Sequence, residues 1–123
     1  QTVVGLKTLH TLSIFHRDLK VLPSNPERQH LSHQAGDAKL GDLNVSKIAK
    51  NGLLYTQTGT PYYASPEVWK DEPYDSKSDI WSLGCVIYEM VTLEPPFKAE
   101  DMEGLFKSVT LGVYPPISQK YSK

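Results

Sequence analysis

The spacing of apolar residues predicts a helix at the start of the chain. In QTVVGLKTLHTLSIFH the apolar positions recur mostly two to three residues apart, at Val3, Val4, Leu6, Leu9, Leu12 and Ile14. This spacing places side chains on one face of a helix, so we predict a helix near residues 1–13. No capping residue precedes it, and we therefore expect the chain to begin inside a domain whose upstream part lies elsewhere.

The strongest periodic signal is the stretch SDIWSLGCVIYEMVTL at residues 78–93. Its apolar residues cover nearly the whole circumference of a helix, which predicts a helix over 77–93 that is buried on most sides. The prolines at 95 and 96 end it. We expect this helix to form the core of the domain, with five core side chains at Trp81, Leu83, Val86, Ile87 and Met90.

Shorter patterns predict three further elements. AKLGDL, at 38–43, alternates apolar and polar residues and predicts a short strand before Asp42. SPEVWK predicts a helix over 65–70, with Ser65 as the N-cap and Pro66 at the first helical position. The amphipathic stretch AEDMEGLFKSVTLG predicts a helix near 99–111, whose apolar face carries Met102, Leu105, Phe106 and Val109.

Composition favours a single folded domain in a reducing compartment. The chain has 123 residues, of which 39% are hydrophobic and 22% charged, as in ordinary globular proteins. A net charge of −1 argues against partners such as nucleic acid or an anionic membrane. Cys85 has no second cysteine for an internal disulfide, residues 1–20 do not show the basic and apolar regions of a signal peptide, and no apolar run is long enough to span a membrane. We therefore expect a soluble, cytoplasmic protein.

Four short blocks carry the candidate chemistry: HRDLK at 16–20, GDLN at 41–44, GTPYYASPE at 59–67 and SDIWSLGC at 78–85. A His-Arg-Asp triplet alone is usually a solvated turn, but the four blocks in this order resemble the catalytic half of eukaryotic protein kinases: catalytic loop, metal-binding motif, substrate-docking loop and central buried helix. GDLNVSK together with GTPYYASPE resembles the NIMA-related serine/threonine kinases. The resemblance implies an α+β protein kinase-like fold. Residues 1–123 would be its mainly α-helical C-terminal lobe only, without the N-terminal lobe and the last helices.

The resemblance implies roles in phosphoryl transfer for four residues. Asp18 matches the residue that orients or accepts the proton of the attacking hydroxyl, and Lys20 matches the lysine beside the transferred phosphate. Asp42 matches the carboxylate that holds Mg²⁺ against the phosphates of ATP. Thr60 matches the threonine that hydrogen-bonds toward Asp18 and Lys20 in serine/threonine kinases. The expected function is therefore transfer of the ATP γ-phosphate to serine or threonine hydroxyls of protein substrates.

Residues 21–35, VLPSNPERQHLSHQA, depart from the kinase pattern. Pro23 stands where the resemblance implies a magnesium-binding asparagine, and Asn25 would reach the metal and nucleotide only with a rebuilt loop. A real insertion, a retained intron piece and a shifted reading frame all remain open for this stretch. The glycine-rich loop and nucleotide-binding lysine are also missing, so we expect the isolated chain to be inactive. The alternative is a catalytically inactive kinase-like protein-binding module.

The resemblance also implies regulatory residues. Leu43 matches an apolar plug that stacks on His16. A phosphate added to Thr56 or Thr58 by an activating kinase would pair with Arg17 and order the surrounding loop. The NIMA-related resemblance implies action at the cytoskeleton, centrosome or cilium.

Further residues have two open interpretations. Asp79 matches the aspartate that accepts hydrogen bonds from the catalytic-loop backbone, although an acid near a helix N-terminus also complements the helix dipole. Glu67 matches a glutamate that pairs with an arginine beyond Lys123, and we expect it to lack that partner. His10 is interpreted as a packing residue. Either substrate contact or packing explains the aromatic residues Tyr62, Tyr63 and Trp69.

Overall fold

The computed structural model describes residues 1–20, 40, 41, 43, 46–48 and 61–121 of the chain. The described part is mainly helical with one small sheet, in agreement with an α+β kinase-like fold. Its elements are α1 (Thr2–Thr11), β1 (Ile14–Phe15), β2 (Lys47–Ile48), α2 (Pro66–Trp69), α3 (Ser76–Thr92) and α4 (Met102–Leu111), with 3-10 turns at Pro61–Tyr63 and Gln119–Tyr121. No helix of this part is long and apolar enough to cross a membrane.

Helix α1 confirms the predicted N-terminal helix and ends two residues earlier than expected. Gln1 occupies its N-cap without a capping hydrogen bond from its side chain. Leu6 is the buried residue of its inner face, whereas Val3 and Val4 are exposed. The helix ends in a turn in which Ser13 adopts a left-handed backbone with φ of 57°. This turn redirects the chain into β1.

The two strands form a short antiparallel ladder in which Ile14 faces Ile48 and Phe15 faces Lys47. Neither strand was predicted, because two residues are too few to show a period of two. The strand predicted at AKLGDL is not seen at Leu40 and Gly41, which lie outside any strand, and the rest of that stretch lies mostly outside the described residues. The ladder joins the loop after β1 to the segment that follows Asp42.

Helix α3 crosses the described part of the molecule and confirms the predicted central helix. Asp75 caps its N-terminus by accepting a hydrogen bond from the Lys77 backbone N–H at 2.7 Å. Leu93, in a left-handed conformation with φ of 63°, ends it before the two prolines. The buried apolar residues of the described part form three clusters, and α3 contributes Cys85 and Leu83 to two of them: Phe15, Val68 and Tyr74; Cys85, Phe97, Leu105 and Val109; and Leu6, Leu19 and Leu83.

The prediction that α3 is buried on most sides is wrong for the described residues. Ile87 is 48% and Met90 69% exposed, so these two predicted core residues lie at the surface of this part of the chain. Trp81 and Val86 are half-buried, and Leu83 is buried as predicted. The buried side of α3 carries three polar residues, Ser78, Asp79 and Ser82, beside its buried apolar ones. Apolar periodicity could not show this, because these polar groups are buried against hydrogen-bonding partners distant in sequence.

Helix α4 begins at Met102, three residues later than predicted. Asp101 is its N-cap and accepts a hydrogen bond from the Gly104 backbone N–H at 2.7 Å. Gly112 ends the helix with φ of 67°, a conformation that favours glycine. Leu105 and Val109 are buried as predicted, whereas Met102 is 57% exposed.

The Cys85 thiol lies in the cluster between α3 and α4 and is 4% exposed. Burial raises its pKa to about 11, since the apolar surroundings disfavour the thiolate. It is therefore a core side chain.

Candidate active site

The loop His16–Lys20 follows β1, and one carboxylate of α3 accepts hydrogen bonds from its backbone. Asp79 is 2% exposed and accepts the His16 backbone N–H on Oδ2 at 2.9 Å and the Arg17 backbone N–H on Oδ1 at 2.8 Å. Arg17 has a left-handed backbone with φ of 71°, which an arginine adopts only when its surroundings stabilise it. Asp79 supplies that stabilisation.

His10 is a further donor to the same carboxylate. Its Nε2 lies 2.8 Å from Asp79 Oδ2, and its ring packs edge-on against Phe15 with centroids 5.9 Å apart. Oδ2 therefore accepts from both His10 and the His16 backbone. The interpretation of His10 as a packing residue missed this bond, because the two side chains lie 69 residues apart in sequence. Only its position in the last turn of α1, close to the loop, could have suggested it.

His16 connects the loop to the segment around Asp42. Its ring is buried, and Nε2 donates to the Gly41 carbonyl at 2.9 Å, while the Ser46 hydroxyl donates to the His16 carbonyl at 3.2 Å. Nδ1 then accepts a long hydrogen bond of 3.4 Å from the Asp18 backbone N–H. Leu43, expected to stack on this histidine, is 50% exposed in the described part. The backbone directly before Asp42 is thus tied to the loop.

Asp18 and Lys20 form the ionic centre of the loop. Lys20 Nζ donates to Asp18 Oδ2 at 2.5 Å, and the two side chains are 27% and 11% exposed, respectively. A partly buried pair of this kind is stronger than one on the open surface, because water screens it less. The carboxylate can take a proton from a hydroxyl placed against it, and the ammonium can neutralise a nearby anion.

The Arg17 side chain reaches Tyr74. Its Nε donates to the Tyr74 hydroxyl at 2.9 Å. Tyr74 is 5% exposed, and this burial raises the pKa of its phenol, while the neighbouring Arg17 charge partly offsets the rise. Tyr74, which the motif comparison did not single out, therefore fixes the direction of the Arg17 side chain.

The segment Pro61–Trp69, called here the docking segment, lies against α3. Tyr63 donates from its hydroxyl to Glu89 Oε2 at 2.8 Å, and Trp69 Nε1 donates to the Pro61 carbonyl at 3.1 Å. These two aromatic residues thus pack within the fold, whereas Tyr62 is 43% exposed and faces outward. Glu67 has a partner within the chain, since its Oε1 accepts from the Ser78 hydroxyl at 3.0 Å.

A cavity of about 20 Å³ separates the docking segment from the loop. It has room for about one water molecule. Residues of the loop, of the docking segment and of α3 line it together, including Asp18, Ser65 and Ser78. The structure therefore brings the loop and the docking segment into one site.

Several predicted site residues lie outside the described residues: Asn25, Asp42, Thr56, Thr58 and Thr60. The unusual stretch 21–35 lies outside them as well. Within the part of the chain that the structure describes, no group of three His, Cys, Asp or Glu side chains could hold a metal ion. His16 contacts the Gly41 carbonyl, one residue before the predicted magnesium ligand Asp42.

Comparison with known proteins agrees with this geometry. The family profile described as "Protein kinase domain" matches residues 1–120. "Serine/threonine-protein kinase Nek5" of Homo sapiens is 39% identical over 125 residues, which cover 100% of this chain and 17% of that protein. "Serine/threonine-protein kinase Nek1" of Mus musculus is 38% identical over 124 residues, covering 99% of this chain and 10% of the relative.

A relative from a third organism gives the same result. "Probable serine/threonine-protein kinase nek3" of Dictyostelium discoideum is 43% identical over 127 residues, covering 99% of this chain and 11% of the relative. The chain thus spans less than a fifth of the length of each of these three relatives. The resemblance to the NIMA-related kinases is confirmed over the whole chain. The chain belongs to the protein kinase family and is part of a protein kinase domain.

Proposed function

We propose that the protein containing this chain transfers the γ-phosphate of ATP to serine or threonine hydroxyls of other proteins, and that the chain is the C-terminal lobe of its kinase domain. One observation carries the proposal: the Asp18–Lys20 pair at 2.5 Å, on a loop whose backbone Asp79 holds. The mainly helical fold and the similarity to Nek kinases support it further.

In the proposed reaction, the loop positions two opposite charges for one displacement at phosphorus. The substrate hydroxyl lies against Asp18, which orients it and receives its proton as the new oxygen–phosphorus bond forms. The bond from the γ-phosphorus to the β–γ bridging oxygen breaks, and ADP leaves with the electron pair. The Lys20 ammonium neutralises negative charge on the transferred group. The close contact between the two side chains supports this assignment of roles.

The proposed reaction requires Mg²⁺, which residues close to the loop in sequence would bind. Asp42 would hold the ion, and Asn25 would contribute only if the loop around Pro23 were rebuilt. Oxygen ligands of this kind suit Mg²⁺, which neutralises the phosphate charges of ATP when bound. Thr60 would hydrogen-bond toward Asp18 and Lys20 and orient them for a serine or threonine substrate.

Phosphorylation at Thr56 or Thr58 by an activating kinase is part of the same proposal. A phosphate there would pair with the Arg17 guanidinium and order the segment before the docking segment. The hydrogen bond from Arg17 Nε to Tyr74 supports this role, because it fixes the direction of the guanidinium.

A second candidate function is a binding module without catalysis. Pro23, at the position of the expected metal-binding asparagine, favours it. The close Asp18–Lys20 pair opposes it, because a module that only binds proteins has no need of that geometry. Magnesium-dependent binding of ATP to the full-length protein separates the two candidates, since a scaffold without nucleotide chemistry would not show it.

The test of the proposed function is an Asp18→Asn variant of the full-length protein. We expect phosphate transfer from ATP to a mixed serine, threonine and tyrosine peptide set to fall by about 10²–10⁴-fold, the range that a positioned proton acceptor contributes. The label should appear on serine and threonine. Glu103→Gln is the control, because this carboxylate lies exposed on α4 in an ion pair with Lys107. Transfer that survives Asp18→Asn unchanged would refute the proposal.

A further inference from the structure

The docking segment is too short to keep its conformation without contacts from the rest of the fold. Helix α2 has four residues, Pro66–Trp69, and a single turn is unstable by itself in water. The preceding 3-10 turn, Pro61–Tyr63, carries the outward-facing Tyr62. Any surface that this segment offers to a protein substrate must therefore be fixed by contacts with the rest of the fold.

One side of α3 supplies these contacts through hydroxyl groups. Ser78 and Ser82 are four residues apart, so they lie on the same face of the helix. The Ser82 hydroxyl shares its one hydrogen between the Tyr63 carbonyl at 2.8 Å and the Ser78 carbonyl at 3.1 Å. The Ser78 hydroxyl contacts both Ser65 and Glu67. The face therefore contacts the docking segment before and within α2.

The hydrogen atoms in this arrangement can be assigned. Ser78 donates its one hydroxyl hydrogen to Glu67 Oε1 at 3.0 Å. The contact between the Ser65 and Ser78 hydroxyls then requires Ser65 to be the donor. The result is a directed relay from Ser65 through Ser78 to the Glu67 carboxylate. It explains why Ser65, although it occupies the predicted N-cap position, makes no capping bond with its side chain.

Because both hydroxyls of the relay are buried, they must keep their hydrogen-bond partners. Ser65 is 1% and Ser78 8% exposed, so neither hydroxyl has water as a ready substitute partner. A buried hydroxyl without a partner is costly, and hydrogen bonds that end on a charged group strengthen one another. Loss of the Ser78 hydroxyl would leave the Ser65 donor unpaired and would remove one donor from Glu67.

We propose that Ser78 is a positioning residue for protein-substrate docking, acting through Ser65 and Glu67 to fix the docking segment on α3. This inference rests on the proposed kinase function and adds to it the residue that controls the substrate side of the site. The loop His16–Lys20 is held separately by Asp79, so the chemical step should be largely independent of the relay.

The test compares four variants of the full-length protein: Ser78→Ala, Ser65→Ala, Ser78→Thr and Ser108→Ala. For Ser78→Ala we expect the KM for a peptide substrate to rise about tenfold, the effect of losing a hydrogen bond to a charged group. The value of kcat and the KM for ATP should stay within about twofold of the wild type. Ser65→Ala should have a smaller effect, because the bond from Ser78 to Glu67 remains.

The other two variants are controls. Ser78→Thr keeps the hydroxyl and should restore most of the peptide affinity. Ser108→Ala removes a hydroxyl of α4 that takes no part in the relay, and it should behave as the wild type. A rise in peptide KM with Ser78→Thr equal to that with Ser78→Ala would show that packing, and not the relay, sets docking.

Amide hydrogen exchange provides a readout that does not depend on catalysis. The Trp69 and Lys70 amides donate within α2, to the carbonyls of Ser65 and Pro66 at 3.0 Å each. They should exchange about tenfold faster in Ser78→Ala than in Ser108→Ala. Equal exchange would overturn the inference, as would an unchanged peptide KM in Ser78→Ala. Absence of transfer by the wild type would overturn the proposed function and the docking role with it.

Discussion

At the scale of single residues, Asp79 is the side chain on which the site depends. A carboxylate that is 2% exposed is stable only when its oxygens have donors. Here Oδ2 accepts from His10 and from the His16 backbone, and Oδ1 accepts from the Arg17 backbone. One buried charge thus joins the end of α1, the loop and α3.

This arrangement predicts a structural role for His10. In His10→Leu, Asp79 would lose one donor in a place that water reaches poorly, so the free energy of unfolding should fall by about 1–3 kcal/mol. Chemical denaturation of the protein measures the change. The control is Thr11→Ala on the exposed side of the same helix, which should change stability by no more than about 0.5 kcal/mol. Equal losses in the two variants would mean that the bond to Asp79 contributes nothing.

The site residues that the sequence predicted lie in motifs of fixed spacing, whereas those that it missed act through partners distant in sequence. Asp18, Lys20 and Asp79 stand within recognisable motifs, whose fixed spacing carries the information. Tyr74 and Ser78 act through partners 57 and 11 residues away, and only the folded chain brings those partners together. Side-chain hydrogen bonds between distant positions leave no periodicity, so a single sequence gives no signal for them.

At the scale of elements, helix ends were predicted to within three residues, and the structure shows what ends each helix. Helices α3 and α4 are both followed by a residue in the left-handed conformation, Leu93 with φ of 63° and Gly112 with φ of 67°. Only the second is a glycine, the residue that adopts this conformation without a steric penalty. A leucine in the same conformation is less favourable, which is why its position could not be predicted from residue type.

Alanine substitutions at two glycines should change the stability of the protein in opposite directions. Gly112→Ala should destabilise the protein by about 1 kcal/mol, because alanine disfavours the left-handed backbone. Gly84 lies inside α3, and Gly84→Ala should stabilise by about 0.5–1 kcal/mol, because alanine is the better helix former. Among the described residues, apart from the adjacent residues and the local helix backbone, no atom lies within 4 Å of the added methyl group at either position, so packing does not obscure the comparison. Thermal unfolding of the two variants measures both signs, and the same sign for both would contradict the assignment of these backbones.

At the scale of the whole molecule, α3 is the element against which the other described parts are arranged. Its polar residues hold the loop and the docking segment, and its apolar residues Leu83 and Cys85 each belong to a buried cluster. The sequence predicted a central helix because apolar residues fill its circumference. It could not predict which side is buried, since hydropathy alone ranks Ile87 above Ser78 and does not register the hydrogen bonds that compensate a buried hydroxyl.

The burial pattern of α3 leads to a matched pair of substitutions. Leu83 is 8% exposed and packs with Leu6 and Leu19, whereas Ile87, four residues later, is 48% exposed. Leu83→Ala should lower the free energy of unfolding by about 2–5 kcal/mol, because it removes buried methyl groups and leaves a cavity. Ile87→Ala removes side-chain atoms that are already half hydrated, so it should cost less than half as much. Chemical denaturation of the two variants compares the losses directly. Equal losses would show that Ile87 is as deeply buried as Leu83 and would contradict the orientation of α3 described above.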